Sequence, residues 1–219
     1  MGKLIVIDGC DGSGKQTQAE LIVKRLKDEG YNVSYVSFPN YQSPYCSLVK
    51  GYLGGDFGSD PSSVSAEAAS LFYAVDRYAS MKTGDWINAD VIITDRYTTS
   101  NMVHQAAKIP ADEKEGFFNW LMDLEYRILG IPEPTSVIFL DVPPAVSLQL
   151  RTERKDLKNG ESKDIHEANY QFMKDSYESA VDCASRFNWS VVHCAPDEKG
   201  MRSIESINDD VYNIVKSVI

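Results

Sequence analysis

Gly9-Cys10-Asp11-Gly12-Ser13-Gly14-Lys15 sets two glycines and a lysine in the spacing G-x-x-x-x-G-K, after an apolar run and before a helical one. Glycines at these positions let successive backbone N–H groups turn inward onto phosphate oxygens, and the following helix adds its positive N-terminal end. Gly12, Ser13, Gly14, Lys15, Gln16 and Thr17 are therefore candidate ligands of a phosphate chain, with Lys15 reaching the group that is transferred and Thr17 the α-phosphate. Gln16 departs from the pattern, because a Ser or Thr hydroxyl usually stands there and ligates Mg2+. An amide oxygen is a weaker ligand, so a metal here leans on carboxylates, Asp95 first and then Asp8, through waters. The same departure keeps open a nucleotide-binding sensor that catalyses nothing.

Asp95-Arg96 closes a second apolar run, Val91 to Asp95. A guanine-nucleotide switch needs Asn-Lys-x-Asp to read its base, and the chain has none. A mechanical ATPase typically follows its strand-end Asp with a Glu that activates water, whereas Asp95 is followed by Arg96. A guanidinium fork pairs with two phosphate oxygens at once. The second substrate is thus expected to carry phosphate, and the reaction to be transfer between nucleotides rather than hydrolysis.

These residues have to be positioned by what lies between them. Short β-branched runs alternate with helical spacing along the chain. Strands are predicted at Leu4 to Asp8, Tyr31 to Ser37, Val91 to Asp95, Val137 to Asp141 and Trp189 to His193. Helices are predicted at Lys15 to Asp28 (stopped by Gly30), Ser43 to Leu53, Ser65 to about Met81 and Asp112 to Leu129. Further helices are expected from Pro144 to about Arg154, from Ile165 to Phe187 and from Ile204 to Val218. Five apolar strands separated by helices imply an α/β P-loop NTPase fold: one domain over 1–219, with a five-stranded parallel sheet flanked by helices on both faces. Ligands of such sheets sit beyond the carboxyl ends of the strands. The polar stretch Lys155 to Lys163, with Asn159-Gly160, reads as a mobile loop, the centre of a lid over about 151–167.

Composition narrows the partners. With 22 Lys and Arg against 32 Asp and Glu the net charge is −10, which argues against gripping a nucleic-acid backbone. The apolar runs are too short to span a membrane, and the first of them stops at Asp8, unlike a signal peptide. Cys10, Cys46, Cys183 and Cys194 form no CxxC pair and no zinc spacing, so they are expected to stay reduced in the cytoplasm, with Cys10 a space-filling residue of the loop.

The loop GCDGSGKQTQ, the segment LFYAVDR (Leu71–Arg77), the stretch DRYTTSNMVHQ (Asp95–Gln105) and LDVPP (Leu140–Pro144) followed by a basic flap resemble the thymidylate kinase family, in this order and over essentially the whole chain. The resemblance implies transfer of the γ-phosphoryl group of ATP to dTMP with Mg2+, giving dTDP. Tyr73 and Arg77, four apart on a helix, share a face. The resemblance has that aromatic stack on thymine and that arginine read its O4. It further implies that Asp11 meets the 3′-hydroxyl, Asp95 holds the Mg2+ water shell, Arg96 clamps the acceptor phosphate, and Ser100 and Gln105 contact the substrate. It also implies a homodimer. The nearer alternative is a kinase acting on another pyrimidine deoxynucleoside monophosphate.

Three departures from the family pattern are visible. Some members carry a catalytic arginine where Gly12 stands, so the lid must supply one, and Arg151 and Arg154 are the candidates. Tyr41 replaces an arginine two residues after Phe38-Pro39, which shifts phosphate clamping onto Arg96 with help from the Tyr41 hydroxyl or Lys50. His104 replaces an aromatic that crowds the sugar 2′ position, and the lid lacks the arginine that often follows Asp164.

Overall fold

Leu4, Ile5, Val6 and Ile7 alternate between two apolar layers, because successive side chains of a strand point to opposite faces and this strand is covered on both. The computed structural model describes residues 2–157, 165–196 and 200–219, apart from the side chains of Arg151, 153–157, Glu167 and Ala168. Its strands are β1 (Lys3–Asp8), β2 (Val33–Ser37), β3 (Val91–Asp95), β4 (Ser136–Asp141) and β5 (Ser190–His193). They form one sheet in the order β2-β3-β1-β4-β5, and all neighbours are parallel. The inner strands β1 and β3 are buried almost throughout, while the edge strands β2 and β5 are only partly so. This is the expected five-stranded parallel sheet.

Helices α1 (Lys15–Asp28) and α9 (Ile204–Lys216) cover one face. There Ile22, Leu26, Val211 and Val215 close over Ile5, Ile7, Ile93 and Ile138. The other face carries α4 (Thr98–His104), α5 (Lys114–Met122) and α8 (Tyr170–Arg186), whose Met102, Phe118, Leu121 and Cys183 pack with Phe139. Between them run α2 (Ser47–Gly54) and α3 (Ala66–Thr83), and after β4 come α6 (Pro144–Leu157) and α7 (Ile165–Ala168). Ser65 caps α3 by accepting from the Ala68 N–H at 3.2 Å, as its residue type predicts. All four cysteines are free and buried, Cys10 included.

The structure departs from the periodicity at three places. The helix expected over Asp112 to Leu129 ends as α5 and continues as a π-helical turn, Asp123–Ile128, which turns Glu125 inward to a buried arginine. The helix expected over Ile165 to Phe187 breaks at Asn169, whose side chain accepts from the Phe172 N–H at 3.0 Å and starts α8 afresh. The seven-residue α4 follows β3 although its Thr-Thr start is a poor helix signal; packing of Met102 and Val103 against α5 and α8 overrides propensity. Lys158 and Lys163 of the expected lid lie outside the described residues.

Register places the functional edge. Ile7 pairs with Asp95 and Asp95 with Ser37, so the carboxyl ends of β1, β3 and β2 finish side by side. The Arg96 N–H extends this ladder to Ile7 O at 3.1 Å. Leu26 is fully buried between α1 and the sheet. Leu26→Ala is expected to lower the unfolding free energy by about 2–5 kcal/mol, measured by urea titration with circular dichroism.

Candidate active site

The phosphate loop is an unusual backbone path made possible by its glycines. Gly9, Gly12 and Gly14 all have positive φ, at 155°, 85° and 86°. A Cβ at Gly9 would stand 2.7 Å from Ser13 Oγ and 2.9 Å from Leu140 O, so no other residue fits there. Gly14 caps α1 from the left-handed region. The Lys15 ammonium lies back along the loop and donates to Cys10 O at 2.9 Å. Burial and Arg96 lower its proton affinity, while Asp11, Asp95 and Asp8 oppose them. Ser13 Oγ is buried with no partner among the described residues. Gln16 is exposed and donates from Nε2 to Glu20 Oε1 at 2.8 Å, and Thr17 is partly exposed beside it.

At the strand ends the carboxylates divide. Asp8 is fully buried and satisfied: it accepts from Gly9 N at 2.8 Å, from Thr99 Oγ1, and from Ser100 Oγ at 2.9 and 3.0 Å. Asp8 thereby anchors the phosphate loop to the start of α4. Asp95 keeps a buried Oδ1 without a partner among the described residues, and burial raises its proton affinity against the pull of Lys15 and Arg96. Such an oxygen suits a hard cation or its water shell. No group of three His, Cys, Asp or Glu among the described residues is placed to hold a metal alone.

Arg96 has the left-handed φ of 64° that a non-glycine residue rarely adopts, and Thr94 Oγ1 holds its carbonyl at 2.5 Å. The side chain turns from Asp95 to form an ion pair with Asp11 of the phosphate loop. Burial raises the Asp11 carboxyl, but Arg96 and then Lys15 outweigh it and hold the group well below the usual carboxylate range. Arg96 also donates to His104 Nε2 at 3.1 Å. A guanidinium only donates, so Nε2 is the accepting nitrogen and the ring proton sits on Nδ1. Burial and the neighbouring Arg96 keep this imidazole neutral, well below the ordinary 6.5.

Asp11, Asp95, Arg96 and Ser100 share one cavity of about 360 Å3 with Tyr73 and Arg77. Gln16, Tyr41 and Gln105 also line it, so the residues predicted for the acceptor do meet. Gln105 is buried with Oε1 unpartnered among the described residues, while Ser100 faces the cavity with its hydroxyl committed to Asp8. Arg77 is 2 % exposed and forms a two-pronged pair with Glu125, which is 0 % exposed. Asn101 donates from Nδ2 to Ser70 O and Glu125 Oε1, each at 3.3 Å, which leaves its amide oxygen for the cavity it lines. The side chains of Arg151 and Arg154 lie outside the described residues, although α6 carries both.

A family model described as thymidylate kinase matches residues 7–200. The chain belongs to the thymidylate kinase family. It is 34 % identical over 154 residues to thymidylate kinase of Mycobacterium tuberculosis, covering 69 % of each chain. With the Plasmodium falciparum enzyme it shares 24 % over 226 residues, 99 % of this chain and 91 % of the relative. A solved thymidylate kinase structure from Candida albicans superposes with a TM-score of 0.69 at 21 % identity, over 99 % of this chain and 92 % of that one. The sheet order and phosphate loop are thus those of this family's fold.

Sequence reasoning missed Glu125, Asn101 and His166. Asn101 lies inside the stretch that carries the resemblance, but Glu125 sits on the π-helical turn and His166 on α7, with no local signal. His166 Nε2 stands 2.9 Å from Tyr52 OH, which also accepts from Lys108 Nζ at 2.7 Å. Its ring packs on Phe172 and His104, and burial pulls its pKa down to about 3. Both imidazoles are neutral when folded and take up protons below 6.5 when unfolded. Their contribution to stability is therefore complete above 6.5 and is lost as pH falls below it, for His166 through a window that reaches down to about 3, by up to about 1.4 kcal/mol per pH unit. His166→Phe keeps the ring packing and removes one titration. Acid unfolding followed by thermal melts is expected to show a shallower loss between about pH 6 and pH 4 in this variant than in the wild type.

Proposed function

We propose that this chain transfers the γ-phosphoryl group of ATP to dTMP, giving ADP and dTDP, within a single kinase domain over 1–219. The observation that carries the reading is the cavity itself, where Arg96 beside the phosphate loop and the Tyr73–Arg77 wall face the same space. A nucleoside monophosphate has this polarity, with an anion at one end and a flat, hydrogen-bonding base at the other.

The donor's phosphates would lie on the N–H groups of Gly12, Ser13, Gly14, Lys15, Gln16 and Thr17, with the Lys15 ammonium leaving Cys10 O for the phosphoryl oxygens. Asp95, with its unpartnered oxygen, would hold the water shell of Mg2+. When bound, that ion would neutralise the charge that develops on the β- and γ-phosphate groups. Arg96 would exchange Asp11 for the acceptor phosphate, which frees the Asp11 carboxylate for the sugar 3′-hydroxyl. Tyr41 lines the same space and its hydroxyl would assist. Tyr73 would stack on the pyrimidine, Arg77 would donate to its O4, and Gln105 would offer its unpartnered amide oxygen. Arg151 or Arg154 would come from the lid over about 151–167. The protein does little covalent work in such a transfer; alignment and charge neutralisation lower the barrier.

Four free cysteines support a reducing cytoplasmic setting. Leu71, Val75 and Tyr78 are 43 %, 46 % and 37 % exposed along one face of α3, a stripe that supports a homodimer. Val75→Arg is expected to shift the protein to monomer in sedimentation velocity, with the melting temperature nearly unchanged.

A coupled ADP-release assay with dTMP, dUMP, dCMP and thymidine tests the activity, and no dTMP-dependent release would refute it. Lys15→Ala and Arg96→Ala are each expected to lower turnover by about 10²-fold or more. Near-wild-type rates in either would contradict these roles.

A further inference from the structure

Glu125 is the most heavily engaged carboxylate behind the cavity wall, and no step above uses it. Its two oxygens accept from Arg77 Nε at 2.6 Å, Arg77 Nη2 at 2.5 Å, Thr98 Oγ1 at 2.8 Å and Asn101 Nδ2 at 3.3 Å. The chain reaches this point only because α5 widens into the π-helical turn Asp123–Ile128. Inserted turns of this kind recur at functional sites.

Arg77 has five N–H groups. Two go to Glu125, and Nη1 donates a third to Tyr97 O at 3.3 Å. One hydrogen on each terminal nitrogen is left, and Arg77 lines the cavity. Asn101 directs both Nδ2 hydrogens inward, to Glu125 and Ser70 O, and so turns its amide oxygen the other way. A single anion therefore makes one neighbour a donor toward the cavity and the other an acceptor. It also cancels the charge of Arg77, so that this arginine faces the ligand as a hydrogen-bond donor and not as a second anion clamp competing with Arg96.

We propose that Glu125 is a positioning residue for acceptor selection: by holding Arg77 as donor and Asn101 as acceptor, it matches the wall to the 4-oxo, 3-NH edge of a pyrimidine and mismatches a 4-amino edge. The inference rests on the reading of Tyr73 and Arg77 as the base wall.

The test uses the full chain with ATP, Mg2+ and either dTMP or dCMP. Glu125→Gln is expected to raise KM for dTMP about tenfold with kcat within about threefold, and to lower the dTMP-over-dCMP ratio of kcat/KM about tenfold. Thr98 does not line the cavity, so Thr98→Val acts only through what it holds. It is expected to move the same two quantities in the same direction by about threefold. If Glu125→Gln does not fold, Thr98→Val decides. A folded Glu125→Gln, or failing that Thr98→Val, with unchanged KM and selectivity overturns the inference, as does a fall in kcat alone. Wild type without dTMP-dependent ADP release refutes the proposed activity itself and the inference with it, and that result is visible before any variant is made.

Discussion

Carboxylate charge stands beside each of three cations of this cleft, Arg96, Arg77 and Lys15. Arg96 rests on Asp11, Arg77 on Glu125, and Lys15 lies among Asp11, Asp95 and Asp8 while its ammonium bonds a loop carbonyl. A buried guanidinium without a counter-charge would cost several kcal/mol. The partners differ in how they can be replaced. Asp11 belongs to the phosphate loop and lines the cavity together with Arg96, where the proposed acceptor phosphate would compete for the same guanidinium. Glu125 is sealed behind the wall with four donor bonds, so its arginine stays where it is.

The sheet explains why these groups meet. Parallel strands deliver their carboxyl ends to one edge, and the register of β1 with β3 and β4 sets Asp8, Asp95 and the phosphate loop on that edge together. Asp8 then ties the loop to α4 through Thr99 and Ser100. Stiffness at this point matters because transfer between two phosphates depends on alignment to within a fraction of an ångström. The left-handed backbone at Arg96 belongs to the same design. It places the guanidinium over the loop at some conformational cost, which the ladder bond to Ile7 and the Thr94 hydroxyl offset.

Neutral polar groups complete the site. His104 is held as the Nδ1–H tautomer by its bond to Arg96, and burial keeps it neutral. It orients the clamp without adding a second positive charge. His166 brings α7 against this ring and against Tyr52, so the chain at α7 is anchored to the wall formed by α2 and α3.

The residues alone determined the strands, the phosphate loop, the strand-end Asp95-Arg96 and the Tyr73–Arg77 face, because each is a local pattern whose chemistry is carried within a few positions. Hydrophobic periodicity sufficed for five strands and most helices, but it failed where a polar side-chain contact redirects the chain, at Asp123–Ile128 and at Asn169. Only the tertiary structure decided the pairings. That Arg96 meets Asp11 rather than its neighbour Asp95, that Asp8 is consumed by hydroxyls of α4, and that Glu125 stands behind Arg77 all join residues far apart in the chain. Charge partners are chosen by which side chains the sheet register and helix packing bring within hydrogen-bond reach of a buried ion, and no spacing along the sequence encodes that distance.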